Sequence, residues 1–282
     1  MIFTTRFAPS PTGPLHLGHA YSALLAHDIA RAEQGRFLLR IEDIDRTRAR
    51  PKWETQIYDY LTWIGVSWEQ PAMRQSDRQS DYDTALDDLW ARGLLYPCHC
   101  TRADISAATS APQEGAPQLG PDGVIYPGTC RPHLNPTVPR PRDTALRLDM
   151  VKACASLVEP FEFTELSTNE IVSFTASDMI NSVGDIVLAR RDMGTSYHLS
   201  VVLDDAEQGI TNVIRGKDLF EATQIHILLQ KLLGLPHPQY LHHRLIRDDA
   251  GKRLAKRDDA RAISLYRTQG ATPQDIREMV GL

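Results

Sequence analysis

The sequence predicts an α/β protein: a doubly wound parallel sheet split by an inserted α/β module, with a small helical carboxyl-terminal segment. Three observations predict it. Strand-like runs alternate with runs of helical periodicity in both halves of the chain, the pattern of parallel βαβ units. A proline-rich stretch with little periodicity separates those halves. Charged residues gather at the carboxyl ends of the strand-like runs, the edge where open α/β sheets place ligands.

The chain of 282 residues is long enough for one large domain or two modest ones. No apolar run approaches ~18 residues, and the start Met1–Arg6 lacks a signal-peptide profile. A cytoplasmic protein with no membrane association is therefore expected. The net charge of −5 argues against a sequence-independent nucleic-acid coat but leaves room for a local basic groove.

Residues 2–8 alternate as a first strand, which delivers the turn Phe7-Ala8-Pro9-Ser10-Pro11-Thr12-Gly13-Pro14-Leu15-His16-Leu17-Gly18-His19 at its end. Prolines and a glycine force that turn to be tight and exposed. His16, Gly18 and His19 fall at the start of the following helix, where unpaired N–H groups and the helix dipole favour an anion. His16 and His19 share one helix face, and Gly18 lets a flat or phosphorylated ligand approach the backbone. By itself the stretch also reads as an ordinary surface turn.

The helix carries Leu17, Tyr21, Leu24, Leu25 and Ile29 as its core stripe, with Gly35 to end it. A strand over 36–43 runs into Glu42-Asp43-Ile44-Asp45, of which Asp43 and Asp45 read as structural. Two helices follow, one on Trp53, Ile57, Leu61 and Ile64, the other on Tyr82, Leu86, Leu89 and Trp90, closed by Gly65 and Gly93. Residues 1–94 are expected to form the first half of the doubly wound domain. Residues 95–180 are expected to be the insertion, with eight of the chain's 18 prolines between 107 and 142 and short strands within 144–163 and 171–176. The second half, 181–236, has strand-like runs at 184–190, 199–205 and 213–218, then a helix on Ala222, Ile225, Leu229 and Leu232 that stops at Gly234. In 237–282 a basic segment precedes two short helices, one capped by Ser264 and one opened by Thr272-Pro273.

Four cysteines in such a chain do not form a disulfide framework. Cys98-x-Cys100 is a half-site for tetrahedral zinc and Cys130 a third thiolate. By spacing His133 is the natural fourth ligand, with His99 possible. Such a site is structural and clamps the proline-rich loop, while Cys154 is expected in the core. In the basic segment Lys252, Arg253, Lys256 and Arg257 place four cations in six positions. Alone they are a solvated loop; beside the histidine turn they suit a triphosphate.

The turn from Pro9 to His19 resembles the "HIGH" signature of class I aminoacyl-tRNA synthetases, in the form of the glutamyl subgroup. Arg253-Leu254-Ala255-Lys256-Arg257 sits where that family has its "KMSKS" loop. Leu39–Asp45, Tyr197-His198-Leu199 and Ile214–Leu219 resemble further segments of the subgroup in the same order, so the likeness spans about residues 3–270. It implies a Rossmann-type catalytic domain that activates L-glutamate with ATP, accompanied by magnesium, as glutamyl-adenylate for transfer to tRNA. It further implies that His16, Gly18, His19, Arg253 and Lys256 contact ATP, with His16, His19 and Lys256 catalytic. For the fourth zinc ligand it points to Tyr126 beside Cys98, Cys100 and Cys130.

Charge supports a glutamate site on the matching residues. Two carboxylates and an ammonium call for arginines and an anion: Arg6 and Arg215 as bidentate donors, Glu42 for the ammonium. Tyr197 adds a phenolic hydrogen bond, and Ser10 with the backbone of Phe7, Ala8 and Pro9 lines the floor. An arginine facing the side-chain carboxylate rejects glutamine, whose amide presents donors to a donor.

The second signature departs from its consensus at Arg253, Ala255 and Arg257. Only about two dozen residues follow Lys256, too few for an independent domain. A free-standing core of this subgroup implies transfer to the queuosine base in the anticodon of tRNA(Asp), by a monomer. The alternatives are a core that charges a tRNA 3′ end, a non-catalytic tRNA-binding paralogue, and a nucleotidyltransferase acting on a small acid without RNA.

Overall fold

The first half of the chain forms a three-stranded parallel sheet whose strands are separated by helices. β1 (Thr4–Phe7) pairs with β2 (Arg36–Ile41), Thr4 opposite Arg36 and Phe7 opposite Leu39; α1 (Leu17–Ala32) joins them. α2 (Pro51–Trp63) leads to the short β3 (Met73–Arg74), parallel to β2, and α3 (Gln79–Ala91) follows. The computed structural model describes residues 2–109, 119–131, 139–158, 160–246 and 262–282. Gly65 and Gly93 adopt the positive φ expected of helix-ending glycines. After α1, however, Gln34 takes the left-handed conformation (φ 51°) instead of Gly35. Gly35 serves close approach: a Cβ there would lie 2.3 Å from the Phe3 carbonyl oxygen.

The middle of the chain holds β4 (Leu95–Cys98), α4 (Arg102–Thr109), the small hairpin β5 (Leu119–Gly120) and β6 (Gly123–Val124), then β7 (Ala145–Leu148) and α5 (Met150–Ala155). A hairpin of β8 (Phe161–Glu165) and β9 (Glu170–Phe174), a single turn α6 (Ala176–Asp178) and β10 (Val187–Ala189) complete it. β10 pairs antiparallel with β7, which pairs antiparallel with β4. The strand at 187–189 thus lies in the sheet of the inserted segment.

α7 (Tyr197–Glu207) corrects the expectation of a strand over 199–205. The run Leu199–Leu203 is apolar and partly β-branched, so its composition favours a strand. The Ser196 side chain instead caps a helix by accepting the Leu199 N–H, and burial of Leu199, Val201 and Val202 on several sides removes the amphipathic signal. β11 (Asn212–Gly216) and β12 (Gln239–His243) are parallel, joined by α8 (Thr223–Leu233), which ends at left-handed Gly234. β8 joins them through Tyr240 opposite Glu165, so strand pairing crosses residue 180 in both directions. β11 lies beside β1, where the Thr211 N–H donates to the Thr4 carbonyl at 2.9 Å. The carboxyl ends of β1, β2 and β11 therefore share one edge.

α9 (Ile263–Thr268) and α10 (Pro273–Val280) close the chain. Ser264 lies inside α9, whose N-cap is Ala262, because Ala262 already bridges to His16 and fixes where the helix begins. Thr272 caps α10 as expected, in a capping box with Asp275. One apolar core lies under β1, β2 and α1; a second joins α3, α7 and α8 to the inserted strands and takes in Cys154. Among the described residues no helix is long and apolar enough to cross a membrane.

Asp204 ties α7 to the first half. Fully buried, it accepts hydrogen bonds from Gln75 Nε2 (2.8 Å), Arg78 Nε (2.9 Å) and the Tyr82 hydroxyl. Asp204→Ala strands Arg78 and the buried Arg40, whose Nε lies 3.9 Å from Asp204 Oδ2, and should cost about 3–5 kcal/mol in denaturant unfolding; a change within ~0.5 kcal/mol would contradict this role.

Candidate active site

Where the carboxyl ends of β1, β2 and β11 meet the start of α1, the surface opens into a cavity of about 650 Å³. Arg6, Phe7, Ala8, Pro9 and Ser10 line one wall, and Glu42, Tyr197 and Arg215 face it. His16, Gly18 and His19 form its rim. The structure thus gathers every described residue expected for glutamate and for ATP in one place. Arg253 and Lys256 lie outside the described residues, as does His133.

The helix start fixes the histidine chemistry. The Gly18 N–H donates to His16 Nδ1 at 3.2 Å, and the His16 N–H donates to His19 Nδ1 at 3.1 Å. A backbone N–H can only donate, so in the neutral rings both Nδ1 atoms accept and both protons sit on Nε2. The rings lie 3.8 Å apart between centroids, and this tautomer gives two neighbouring N–H donors suited to phosphate oxygens. A Cβ at Gly18 would stand 3.1 Å from the His16 ring, so glycine makes room here for the histidine.

Behind the wall runs a buried chain of charge. Arg6 Nε donates to Asp205 Oδ1 at 2.9 Å, and Arg40 Nη1 donates to the same oxygen at 2.7 Å. Arg40 Nη2 reaches Glu42 Oε1 at 3.3 Å. Burial raises the pKa of Glu42 while Arg40 and Arg6 oppose that rise. Asp205 titrates lower than usual, since the two arginines outweigh its burial. Arg40 is completely buried, and burial, which works against its charge, is outweighed by Asp205, Glu42 and Asp204. Sequence reasoning missed Arg40, Asp204 and Asp205; a charge inside or closing an apolar run, as in Leu38-Leu39-Arg40-Ile41 and Val201-Val202-Leu203-Asp204-Asp205, is the signal that could have found them. Asp43 and Asp45 make structural hydrogen bonds, Asp43 accepting from the distant Ser76 N–H and Asp45 from its neighbours Thr47 and Arg48.

Cys98, Cys100 and Cys130 place their sulfurs within 4.8 Å of one another. Cys100 Sγ lies 3.4 Å from Cys130 Sγ, and the Tyr126 hydroxyl lies 3.5 Å from Cys98 Sγ and 3.3 Å from Cys100 Sγ. Zinc bond lengths require tetrahedron edges of about 3.8 Å between sulfurs and about 3.5 Å from sulfur to oxygen. The four side chains therefore fit a tetrahedral thiophilic ion. Arg147 packs against the cluster, its Nε 3.3 Å from Cys98 Sγ and its guanidinium 3.8 Å over the Tyr126 ring. At Cys130, burial opposes the thiolate, but hydrogen bonds from Tyr126, the His99 backbone and the other thiols bring its pKa down to about 7. The His99 ring turns to Thr144 Oγ1 at 3.3 Å.

The family model for "tRNA synthetases class I (E and Q), catalytic domain" matches residues 3–282. A "Glutamyl-Q tRNA(Asp) synthetase" of Rhodobacter capsulatus is 62% identical over 282 residues, covering 99% of both chains. A protein of the same name from Albidiferax ferrireducens is 42% identical over 269 residues, covering 92% of this chain and 85% of its own. Among solved structures, a glutamate tRNA ligase from Elizabethkingia meningosepticum, in complex with its amino acid, superposes with a TM-score of 0.76 at 27% identity. All of this chain is covered, but only 61% of that ligase, so the chain spans about three-fifths of its length.

Buried neutral histidines make stability pH-dependent. Burial and the Arg215 cation lower the pKa of His242 to about 4 although Glu165 pulls it up, and burial lowers those of His226 and His243. Below pH ~6.5 the unfolded chain takes up protons that all three buried rings resist, His242 until about pH 4. Stability is thus complete above pH ~6.5 and lost on acidification, by up to roughly 3 kcal/mol for a ring shifted this far. Urea midpoints should fall between pH 6.5 and 4, less steeply in His242→Gln; equal slopes in both proteins would contradict the assignment.

Proposed function

The chain belongs to the class I tRNA synthetases for glutamate and glutamine, and within that family we propose that it activates L-glutamate with ATP and transfers it to the queuosine base of tRNA(Asp). The observation that carries the reading is one cavity holding two arginines and a carboxylate beside a pair of histidines at a helix start. That combination matches an amino acid with two carboxylates lying next to a polyphosphate. The acceptor is taken from the two relatives whose name specifies it. In this reading residues 1–94 and 181–236 are the halves of the catalytic domain and 95–180 the insertion, with β8 and β10 pairing across the boundary at 180. Residues 237–282 carry the signature loop, and the protein works as a cytoplasmic monomer.

No protein nucleophile is needed. A glutamate carboxylate oxygen attacks the α-phosphorus of ATP, the bond to the bridging oxygen breaks, and pyrophosphate leaves. A hydroxyl of the modified nucleoside then attacks the activated carbonyl and displaces AMP. The protein contributes position and charge. His16 and His19 donate Nε2–H to phosphate oxygens, with Gly18 beside them. Arg253 and Lys256 add cations from the signature loop. That loop is flanked by Ile246, which lines the cavity, and by Ile263, whose N–H donates to the Leu15 carbonyl at 2.9 Å. Glu42 takes the ammonium, Arg6 and Arg215 the carboxylates, and Tyr197 a further hydrogen bond, over a floor of Phe7, Ala8, Pro9 and Ser10. Magnesium neutralises the phosphates when ATP binds. Cys98, Cys100, Tyr126 and Cys130 hold zinc, which clamps the insertion.

Incubation with labelled glutamate, ATP and tRNA(Asp) should label the tRNA only when it carries queuosine, with its 3′ end still open to periodate. Label found only on a protected 3′ end would overturn the acceptor and favour a 3′-charging core. Pyrophosphate exchange without a tRNA product would favour the small-acid enzyme, and no exchange the non-catalytic paralogue. For the metal, Tyr126→Phe should purify with markedly less zinc than His133→Ala; the reverse order contradicts the Tyr126 assignment.

A further inference from the structure

Arg215 is held in a cage that dictates how much of it a ligand can reach. A guanidinium has five N–H donors in one rigid plane and no acceptor. Among the described residues four donors of Arg215 are engaged. Nε donates to His242 Nε2 (3.2 Å) and one Nη1 hydrogen to His226 Nδ1 (3.0 Å); Nη2 donates to the Leu219 carbonyl (3.2 Å) and Thr223 Oγ1 (2.8 Å). A single Nη1 hydrogen is left for the cavity that Arg215 lines. Arg215 is therefore a one-pronged donor here, unlike the bidentate fork its residue type predicts.

The same contacts fix every tautomer around it. His226 accepts at Nδ1, so it carries its proton on Nε2 and donates to His198 Nδ1 at 3.2 Å. His198 in turn donates from Nε2 to Asp122 Oδ1 at 3.3 Å. His242 accepts at Nε2 and donates from Nδ1 to Glu165 Oε2 at 2.5 Å. Two files of neutral histidine thus run outward from one arginine, each ending on a carboxylate. Glu165 is held independently, accepting also from the Ser167 hydroxyl and the His242 N–H.

We propose that His226 and His242 are positioning residues that lock the Arg215 guanidinium with one N–H aimed at the carboxylate of the bound amino acid. The inference rests on the reading of Arg215 as a glutamate contact. A loose guanidinium keeps its charge but loses that aim, so the loss falls on the amino acid and spares ATP. Phenylalanine in place of either histidine keeps much of the packing and removes the acceptor.

Glutamate-dependent exchange of pyrophosphate into ATP, on the full chain, tests this. His242→Phe and His226→Phe should each raise the KM for glutamate about tenfold, with the KM for ATP changed less than twofold. His242→Gln, whose amide oxygen can stand where Nε2 accepts, should recover most of the loss. An unchanged KM for glutamate in the phenylalanine variants, or a parallel rise for both substrates, overturns the proposal. If one phenylalanine variant fails to fold, the other and His242→Gln still decide. Arg215→Ala separates the two levels. An unchanged KM for glutamate there overturns the reading of Arg215 and the positioning role together. A raised KM there, with none in the histidine variants, overturns the positioning role alone.

Discussion

Two arginines share one buried carboxylate oxygen, and the site depends on that sharing. Asp205 on α7 holds Arg6 on β1 and Arg40 on β2 at the same atom, and Arg40 reaches on to Glu42 at the end of its strand. Three segments far apart in the chain are thereby fixed relative to one another. Arg6 and Glu42 face the cavity with opposite charge because a third and a fourth charge, out of reach of solvent, hold them there. Buried ion networks of this kind return little net stability, since desolvation offsets most of the Coulomb attraction. On this account their value lies in orientation, which catalysis by positioning requires.

The same design recurs at the other arginine with different chemistry. Around Arg215 the anchors are neutral histidines and carbonyl or hydroxyl oxygens, and the carboxylates Glu165 and Asp122 stand one or two hydrogen bonds farther out. Arg6 is thus neutralised directly, whereas Arg215 keeps its positive field largely uncompensated at close range. A ligand with two acidic ends meets two cations of unequal strength and reach. The histidines at the helix start complete the set as donors without formal charge, their tautomers settled by the backbone.

Much of this was legible in the sequence wherever the cause is local. The βαβ alternation, the glycines that end α2, α3 and α8 and the Thr272 cap are set by neighbours within a few residues, and each stands as expected. The site residues of the first strand and turn were legible for the same reason. The proline-glycine turn, expected to be exposed, is instead buried or half-buried along its length, with Leu15 and Leu17 packed into the core. What escaped depends on distant contacts. Val201, Val202 and Leu203 have strand composition but form a helix because Ser196 caps it and the core surrounds it. Arg40 and Asp205 are 165 positions apart, so neither alone signals an ion pair. Arg215 was legible as a cation but not as a nearly saturated donor, because its partners come from α8 and β12.

Asp205 orients the charges proposed to bind glutamate. This role is tested most directly by calorimetric titration of L-glutamate into the wild-type protein and Asp205→Asn, with ATP titrated as a control. Asparagine keeps the shape and an acceptor but removes the charge that holds both arginines. Glutamate should bind Asp205→Asn at least about tenfold more weakly, with ATP binding little changed. Equal glutamate affinity in the two proteins would contradict it.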